Sequence, residues 1–368
     1  MSVRRLLVNF GSSTTDFRVG LNAAGELPGL LKHVVGAPKR ALVVDDGMAS
    51  TELRRELRRA LIDNGFAVES LSVAERDSVR DLATAELVFA KLAEHGLTSD
   101  DLIVALGDTD VCSVVAFCAK MWRGGMSSVA VACTLEAMCT VATSMRALDV
   151  AGVEDALTLT PGWDMVVCDL DLVVGADIDA LGAGYVQLLT SAFSQSRRIW
   201  EQFAEKIEGM VSKDAVAFAD ALCNAQSARS SAIRSANPSS RSAYLFGHTT
   251  ACALRACLGD GVPWYRLLAE GIRFESRLAH DVCNLDVDTI FEIDDRLEDL
   301  GIEELAFDLE PARFCEAIKA ERFARSNRLM LSLPRFPGAI RLCAIDSELL
   351  ERHAEAFLAS RRELACDE

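Results

Sequence analysis

Continuous apolar runs of strand length alternate with amphipathic stretches through the first half of the chain, and the alternation stops after about Gly175. The central run is Asp100–Ala119, DDLIVALGDTDVCSVVAFCA. It reads as a buried strand at Leu102–Leu106, a tight turn at Gly107–Asp110 and a helix opening at Val111. An apolar run that ends at glycine and gives way to Ala-rich periodicity marks a parallel sheet covered by helices. The same patterning predicts strands at Arg4–Asn9, Asp16–Leu21, Ala41–Asp45, Ala67–Val73, Ser128–Ala132 and Met165–Asp169. Helices are predicted at Glu26–Val35, Thr51–Asp63, Asp77–His95 and from Leu135. Strands alternating with helices give a doubly wound α/β sheet. Beyond Gly175 helical periodicity covers Ala180–Val211, Lys213–Ala236, His248–Gly259, Tyr265–Asp281, Val287–Leu300 and Pro311–Arg325. A late strand pair is predicted at Arg328–Leu333 and Ala339–Ala344, and Ser227–Ser242, rich in Ser, Ala and Arg, reads as a mobile linker or lid. The predicted organisation is an N-terminal Rossmann-like α/β domain over residues 1–175 and an all-α C-terminal domain over residues 176–368, with a ligand expected in the cleft between them.

Composition narrows the partners. The formal net charge of −17 offers no basic excess to displace counterions, which excludes nucleic acid and anionic membrane as expected partners. Clustered arginines can still hold a small anion. The N-terminal apolar run after Arg5 is too short for a signal sequence, and no segment reaches membrane-spanning length. The 12 cysteines contain no CxxC pair, which argues against a disulfide framework or a zinc ribbon. A cytoplasmic protein with reduced thiols is expected.

The turn after the central strand decides the chemistry. Ligands of such sheets gather at the carboxyl ends of the strands, where helix N-termini point N–H groups at anions. A nucleotide turn uses several glycines so that the backbone can approach a pyrophosphate. This turn has Gly107 with Asp108 and Asp110, and two carboxylates repel a pyrophosphate.

The chain resembles the 3-dehydroquinate synthase family of sugar phosphate cyclases and, more distantly, the iron-containing and glycerol dehydrogenases of the same fold. The segments that carry the resemblance are Leu102–Ala119, VACTLEAM at Val131–Met138, VVCDLDLV at Val166–Val173, GAGYVQLL at Gly182–Leu189 and FGHTTACALRA at Phe246–Ala256, with Gly271 at the family's spacing beyond them. The resemblance implies a dehydroquinate-synthase-like fold, NAD and a divalent metal, usually zinc. It places the metal ligands at Gln187, His248 and Trp264. Glutamine is a poor ligand and indole is none, so no metal is expected. His248 and Cys252, four apart, would share a helix face and offer a rebuilt site. For the nucleotide the resemblance implies Asp45, Asp46, Glu75, Gly107 and Thr134. Asp45 and Asp46 read equally as a polar strand end. Catalytic lysine and histidine positions fall at Thr190 and Cys252, and the family's lysine–asparagine pair at Glu154 and Asp155.

What remains is cationic. Arg146, Arg241 and Arg322 fall at or near basic positions of the family, and with His248 they form the candidate catalytic set; arginine forks suit carboxylate and phosphate. The expectation is a divergent dehydroquinate-synthase-like protein without ordinary metal- and NAD-dependent activity. It would bind a small anionic metabolite or serve a pathway as a partner, as a homodimer or with a paralogue. The alternative is an active cyclase, a carbon–oxygen lyase, with a rearranged site. His33, His95, His280 and His353 are expected at the surface or at helix ends, and Trp264 as packing.

Overall fold

The computed structural model describes residues 2–31, 40–76, 78–237 and 241–367. His33, the end of the helix predicted to Val35, Asp77 and part of the predicted lid lie outside the described residues. The chain divides into two compact units, one of residues 1–176 with 213–230, the other of residues 177–212 with 231–368.

The first unit is built on a sheet of seven strands in the order β1-β2-β9-β6-β5-β3-β4. These are β1 (Arg4–Asn9), β2 (Thr14–Gly20), β3 (Arg40–Asp45), β4 (Ala67–Ser72), β5 (Leu102–Gly107), β6 (Ser127–Ala132) and β9 (Met165–Asp169). Only the edge strand β1 is antiparallel to its neighbour; the other pairs run parallel. Every residue of β5 is buried, as a strand covered on both faces requires. Helices α1 (Ala23–Leu31) and α2 (Thr51–Asp63) close an apolar layer with Leu27, Leu57 and Leu61 against Val43, Val104, Val129 and Val167. Helices α3 (Leu82–Glu94), α4 (Thr109–Met121) and α5 (Leu135–Thr140) complete the run before β9.

Several boundaries differ from the sequence reading for identifiable reasons. Helix α3 starts at Leu82 rather than Asp77, because the Asp81 carboxylate accepts the Thr84 N–H at 2.7 Å and caps it there. A hairpin that patterning missed, β7 (Arg146–Val150) with β8 (Val153–Leu159), turns through Ala151 and Gly152, both at positive φ, as a two-residue hairpin turn demands. Its second strand is largely exposed, so it carries no apolar alternation to read.

The second unit opens with α6 (Ile178–Gln195) and α7 (Arg197–Val211). Periodicity alone runs through this junction, but Ser196 is extended and its hydroxyl accepts the Ile199 N–H, ending one helix and capping the next. Helix α8 (Ala215–Arg234) follows, and its residues up to Ser230 group with the first unit. The predicted lid from Ser227 is therefore helical as far as Arg234. Arg229 is buried with Nε on Thr143 Oγ1 at 2.9 Å, and Gln226 donates to the Met138 and Cys139 carbonyls, so a loop-like composition is held as helix by its partners. The second unit continues with α9 (His248–Leu258), α10 (Trp264–Cys283), α11 (Val287–Asp299), α12 (Pro311–Arg325), the antiparallel pair β10 (Met330–Phe336) and β11 (Ala339–Ala344), and α13 (Ser347–Asp367). The helical second half and late hairpin follow the sequence reading. Among the described residues no helix is long and apolar enough to cross a membrane.

Helix α10 threads the core of this unit and brings charge with it. Glu270 and Arg273 are fully buried and Arg361 of α13 nearly so. Glu270 accepts Arg273 Nη1 at 2.9 Å, Arg361 Nε at 2.6 Å and the Leu305 N–H at 3.2 Å, while Arg273 Nη2 reaches the Ile302 carbonyl at 2.7 Å. Removing one partner of such a set strands the rest in low dielectric. Glu270→Ala is expected to lower unfolding free energy by about 3–5 kcal/mol, read as a fall in urea midpoint at unchanged slope. A loss below about 1 kcal/mol, the scale of a solvated pair, would show that water reaches the network.

Candidate functional site

The carboxyl edge of the first unit's sheet gathers most of the expected nucleotide residues. Asp45 ends β3, Asp46 follows it, Gly107 ends β5, Asp108 caps α4 and Thr134 caps α5. The Asp46 carboxylate lies across the turn. Its Oδ2 accepts the Asp108 N–H at 2.7 Å and its Oδ1 the Met48 N–H at 3.0 Å. Gly107 makes this possible: at φ +150°, a Cβ there would fall 2.2 Å from the Asp46 oxygens. Asp108 Oδ1 in turn accepts the Thr109 N–H at 2.6 Å and the Thr134 hydroxyl at 2.7 Å. Two N–H groups at the start of α4, the donors such a helix offers an incoming anion, are thus held by the chain's own carboxylates. Burial raises the Asp46 pKa, the neighbouring Asp108 charge adds to this, and the N–H bonds oppose it. Asp110 is likewise raised, by burial first.

The other candidates divide. Asp45 accepts the Gly47 N–H at 3.2 Å and pairs with Arg54 at 3.3 Å, the polar strand-end role left open by the sequence. Glu75 is exposed in the loop after β4, whose Ala74 methyl lies against Gly47. Arg146 is not at this edge. Its backbone opens β7, but its guanidinium turns toward the amino ends of the strands, where Nη2 donates to the Gly162 carbonyl at 2.7 Å. It lines a cavity of about 350 Å³ there with Ser127, Ser128, Lys120 and Asp164. Burial lowers its pKa and the Asp164 charge opposes that. A feature that spacing does not reveal is Arg80, which meets Asp149 at 3.1 Å, Asp155 at 3.3 Å and Asp110 at 3.8 Å.

In the second unit His248, Cys252 and Trp264 meet at the start of α9. His248 follows Gly247, whose φ of +80° ends the preceding turn. His248 Nδ1 lies 3.6 Å from Cys252 Sγ, one helical turn on, as the spacing predicts. The Trp264 ring meets the imidazole edge-to-face at 5.6 Å and carries the Arg255 guanidinium over its own face at 4.8 Å, a packing role. Thr190, at a family lysine position, turns its hydroxyl back to the Val186 carbonyl. His248 and Cys252 bring two possible donor atoms together within one helical turn. A zinc site takes three or four protein ligands, so these two alone do not make one. Arg241 is exposed. Arg322 lies in the last turn of α12 with Nε buried and without a hydrogen-bond partner. His353 departs from its expected surface role: Nε2 meets the Phe274 carbonyl at 3.0 Å and burial lowers its pKa.

The residue that sequence reasoning missed altogether is Glu275. It is fully buried on α10, accepts the Gly247 N–H at 2.7 Å and the Thr250 hydroxyl at 2.8 Å, and so fixes the turn that presents His248. A glutamate amid apolar helix neighbours reads as surface, and only the fold brings it to residues 25 and 28 positions away.

Against known proteins, the family model described as 3-dehydroquinate synthase N-terminal matches residues 70–174. A 3-dehydroquinate synthase of Sulfurisphaera tokodaii is 19% identical over 296 residues, 78% of this chain and 84% of that protein. That of Caulobacter vibrioides is 24% identical over 288 residues, 75% of this chain and 77% of its own. Among solved structures, a 2-deoxy-scyllo-inosose synthase complexed with carbaglucose-6-phosphate, NAD+ and Co2+ superposes with a TM-score of 0.84 at 12% identity, covering 96% of this chain and all of that one.

Glu275 makes a pH prediction. Burial pushes its pKa up to about 7 from an ordinary 4.5, against the Gly247 and Thr250 hydrogen bonds. The folded state then keeps a proton that the unfolded state releases, so stability is fullest below pH 4.5 and falls as pH rises to 7. At about 1.4 kcal/mol per unit the fall is on the order of 3 kcal/mol. Glu275→Gln, which can still accept from Gly247, should flatten the decline in unfolding free energies measured across that window. An unchanged slope would assign it to other groups.

Proposed function

From its likeness to 3-dehydroquinate synthases we propose that the chain is a divergent member of that family without the NAD- and metal-dependent cyclase reaction. It holds a small phosphorylated or carboxylated metabolite, alone or as the non-catalytic partner of an active paralogue, as a homodimer or heterodimer. The observation that carries this reading is the pair of carboxylates on the α4 N-terminus. Asp46 on the Asp108 N–H and Asp108 on the Thr109 N–H leave a pyrophosphate to displace two charge-assisted hydrogen bonds and to sit beside two negative charges.

Gln187 and Trp264 stand at the positions where the resemblance implies metal ligands, and the α4 N-terminus is answered by the chain's own carboxylates. The residues that suit an anion are Arg241, exposed, and Arg322, whose buried Nε lacks a partner. The structural neighbour bound to carbaglucose-6-phosphate supports a sugar or cyclitol phosphate as the ligand class. The His248–Cys252 pair favours a second reading, an active cyclase with a rearranged site.

Titration calorimetry with NAD separates the two. The unaltered protein is expected to bind NAD no tighter than about millimolar, roughly 4 kcal/mol. Asp46→Ala with Asp108→Gly, which frees both N–H groups, should improve affinity about tenfold or more, at least ~1.4 kcal/mol. Micromolar NAD binding by the unaltered chain, or one zinc per chain lost with His248→Ala, would replace the proposal with the second reading. In parallel, a thermal-shift screen of sugar phosphates should show stabilisation that Arg322→Ala weakens.

A further inference from the structure

Cys283 is the last residue of α10, and Cys343 lies near the end of β11, paired across the hairpin with Leu331. Their Sγ atoms are 3.3 Å apart, although 60 positions separate them in sequence. A disulfide sits at about 2.05 Å, so the sulfurs need close by only roughly 1.3 Å. The two thiols differ in access. Cys283 is 8% exposed, whereas Cys343 is half-buried. Arg335 and Arg341, on the same hairpin, lie close enough to favour a thiolate at Cys283.

From this geometry we infer that Cys283 and Cys343 form a redox-active dithiol, a modification site that exchanges with a small disulfide such as glutathione disulfide. Cys343, the more accessible sulfur, attacks as thiolate. One S–S bond of the oxidant breaks, a mixed disulfide forms at Cys343, and one glutathione thiolate leaves. Cys283 then gives up its proton and attacks the Cys343 sulfur, releasing the second glutathione. The sum is a protein dithiol and glutathione disulfide giving a protein disulfide and two glutathiones, with both electrons passing to the oxidant. Burial and the adjacent Cys343 push the Cys283 thiol up to about 12, which makes the second attack the slow one.

The link would close a loop holding α11, α12 and β10, and tie the hairpin to the helix that carries Glu275. Oxidation thereby stiffens the frame behind the His248 turn with no change in the residues that face it.

The test uses the whole reduced chain in a series of glutathione disulfide to glutathione ratios, followed by alkylation and tryptic mapping without reductant. The sequence suits it: cleavage gives Leu278–Arg296 and Leu342–Arg352, each with a single cysteine. The expected product is these two peptides joined with loss of two hydrogens, ahead of any other cysteine pair, and a thermal midpoint raised by a few degrees. Cys283→Ser should trap a glutathione adduct on Cys343, and Cys343→Ser should leave no linked product. Full alkylation of both thiols while other cysteines oxidise overturns the inference, as does Cys283→Ser without an adduct at Cys343. The mapping of the unaltered chain decides the matter if a variant does not fold.

Discussion

The junction between β5 and α4 fixes the chemistry of the first unit. A helix that starts at the edge of a parallel sheet leaves N–H groups unpaired and a partial positive charge, and something anionic must answer them. Here the answer is internal. Asp46 reaches across from the end of β3 because Gly107 has no side chain to stop it, and Asp108 folds back on Thr109 while taking the Thr134 hydroxyl. The capping of α4 and the link to the start of α5 follow from these two carboxylates, while burial first, with the Asp108 charge adding to it, raises the Asp46 pKa. A site that supplies its own anions is satisfied as folded. An external phosphate has to compete with groups held at full effective concentration by the backbone.

The second unit meets a similar demand with a different outcome. Glu270 and Glu275 lie five residues apart on α10, and both are fully buried. Glu270 faces two guanidinium groups in an ion network, whereas Glu275 faces an N–H and a hydroxyl, with no cation beside it among the described residues, so burial dominates its titration. Identical side chains on one helix thus take opposite electrostatic roles because their partners differ. The first ties α10 to α13; the second sets the turn before His248.

The architecture was legible because its signals are periodic. β5 with its apolar run, the alternation of strands and helices to Asp169, and the late hairpin all follow from spacing alone. Features held by single hydrogen bonds were not. Ser196 breaks a continuous helical pattern with one hydroxyl, and the exposed β8 has no apolar face to betray it. At the site, the carboxylates of the turn and the His248–Cys252 pair lie together as their short separations predict. Spacing does not give the direction of Arg146, whose long side chain carries its charge to the other end of the strands, or the arrival of Glu275 at Gly247.

The same distinction separates the packing that carries the likeness from the side chains beside it. Gly182, Gly247 and Gly271 are among the residues that carry the resemblance, and each sits where packing forbids a side chain. A Cβ on Gly271 would fall 2.1 Å from the Gly247 carbonyl oxygen, and one on Gly182 would enter the Tyr265 ring at 2.4 Å. These contacts set how closely α9 and α6 approach α10, and they are indifferent to what is bound. Gln187, Thr190 and Trp264 lie on the same helices, and nothing in that packing requires a carboxylate, lysine or imidazole at their positions. Trp264 supplies the volume and an aromatic face for Arg255 instead. Backbone approach and ligand chemistry are therefore separable constraints on one set of helices. Agreement in the first carries the fold and leaves the second to be measured.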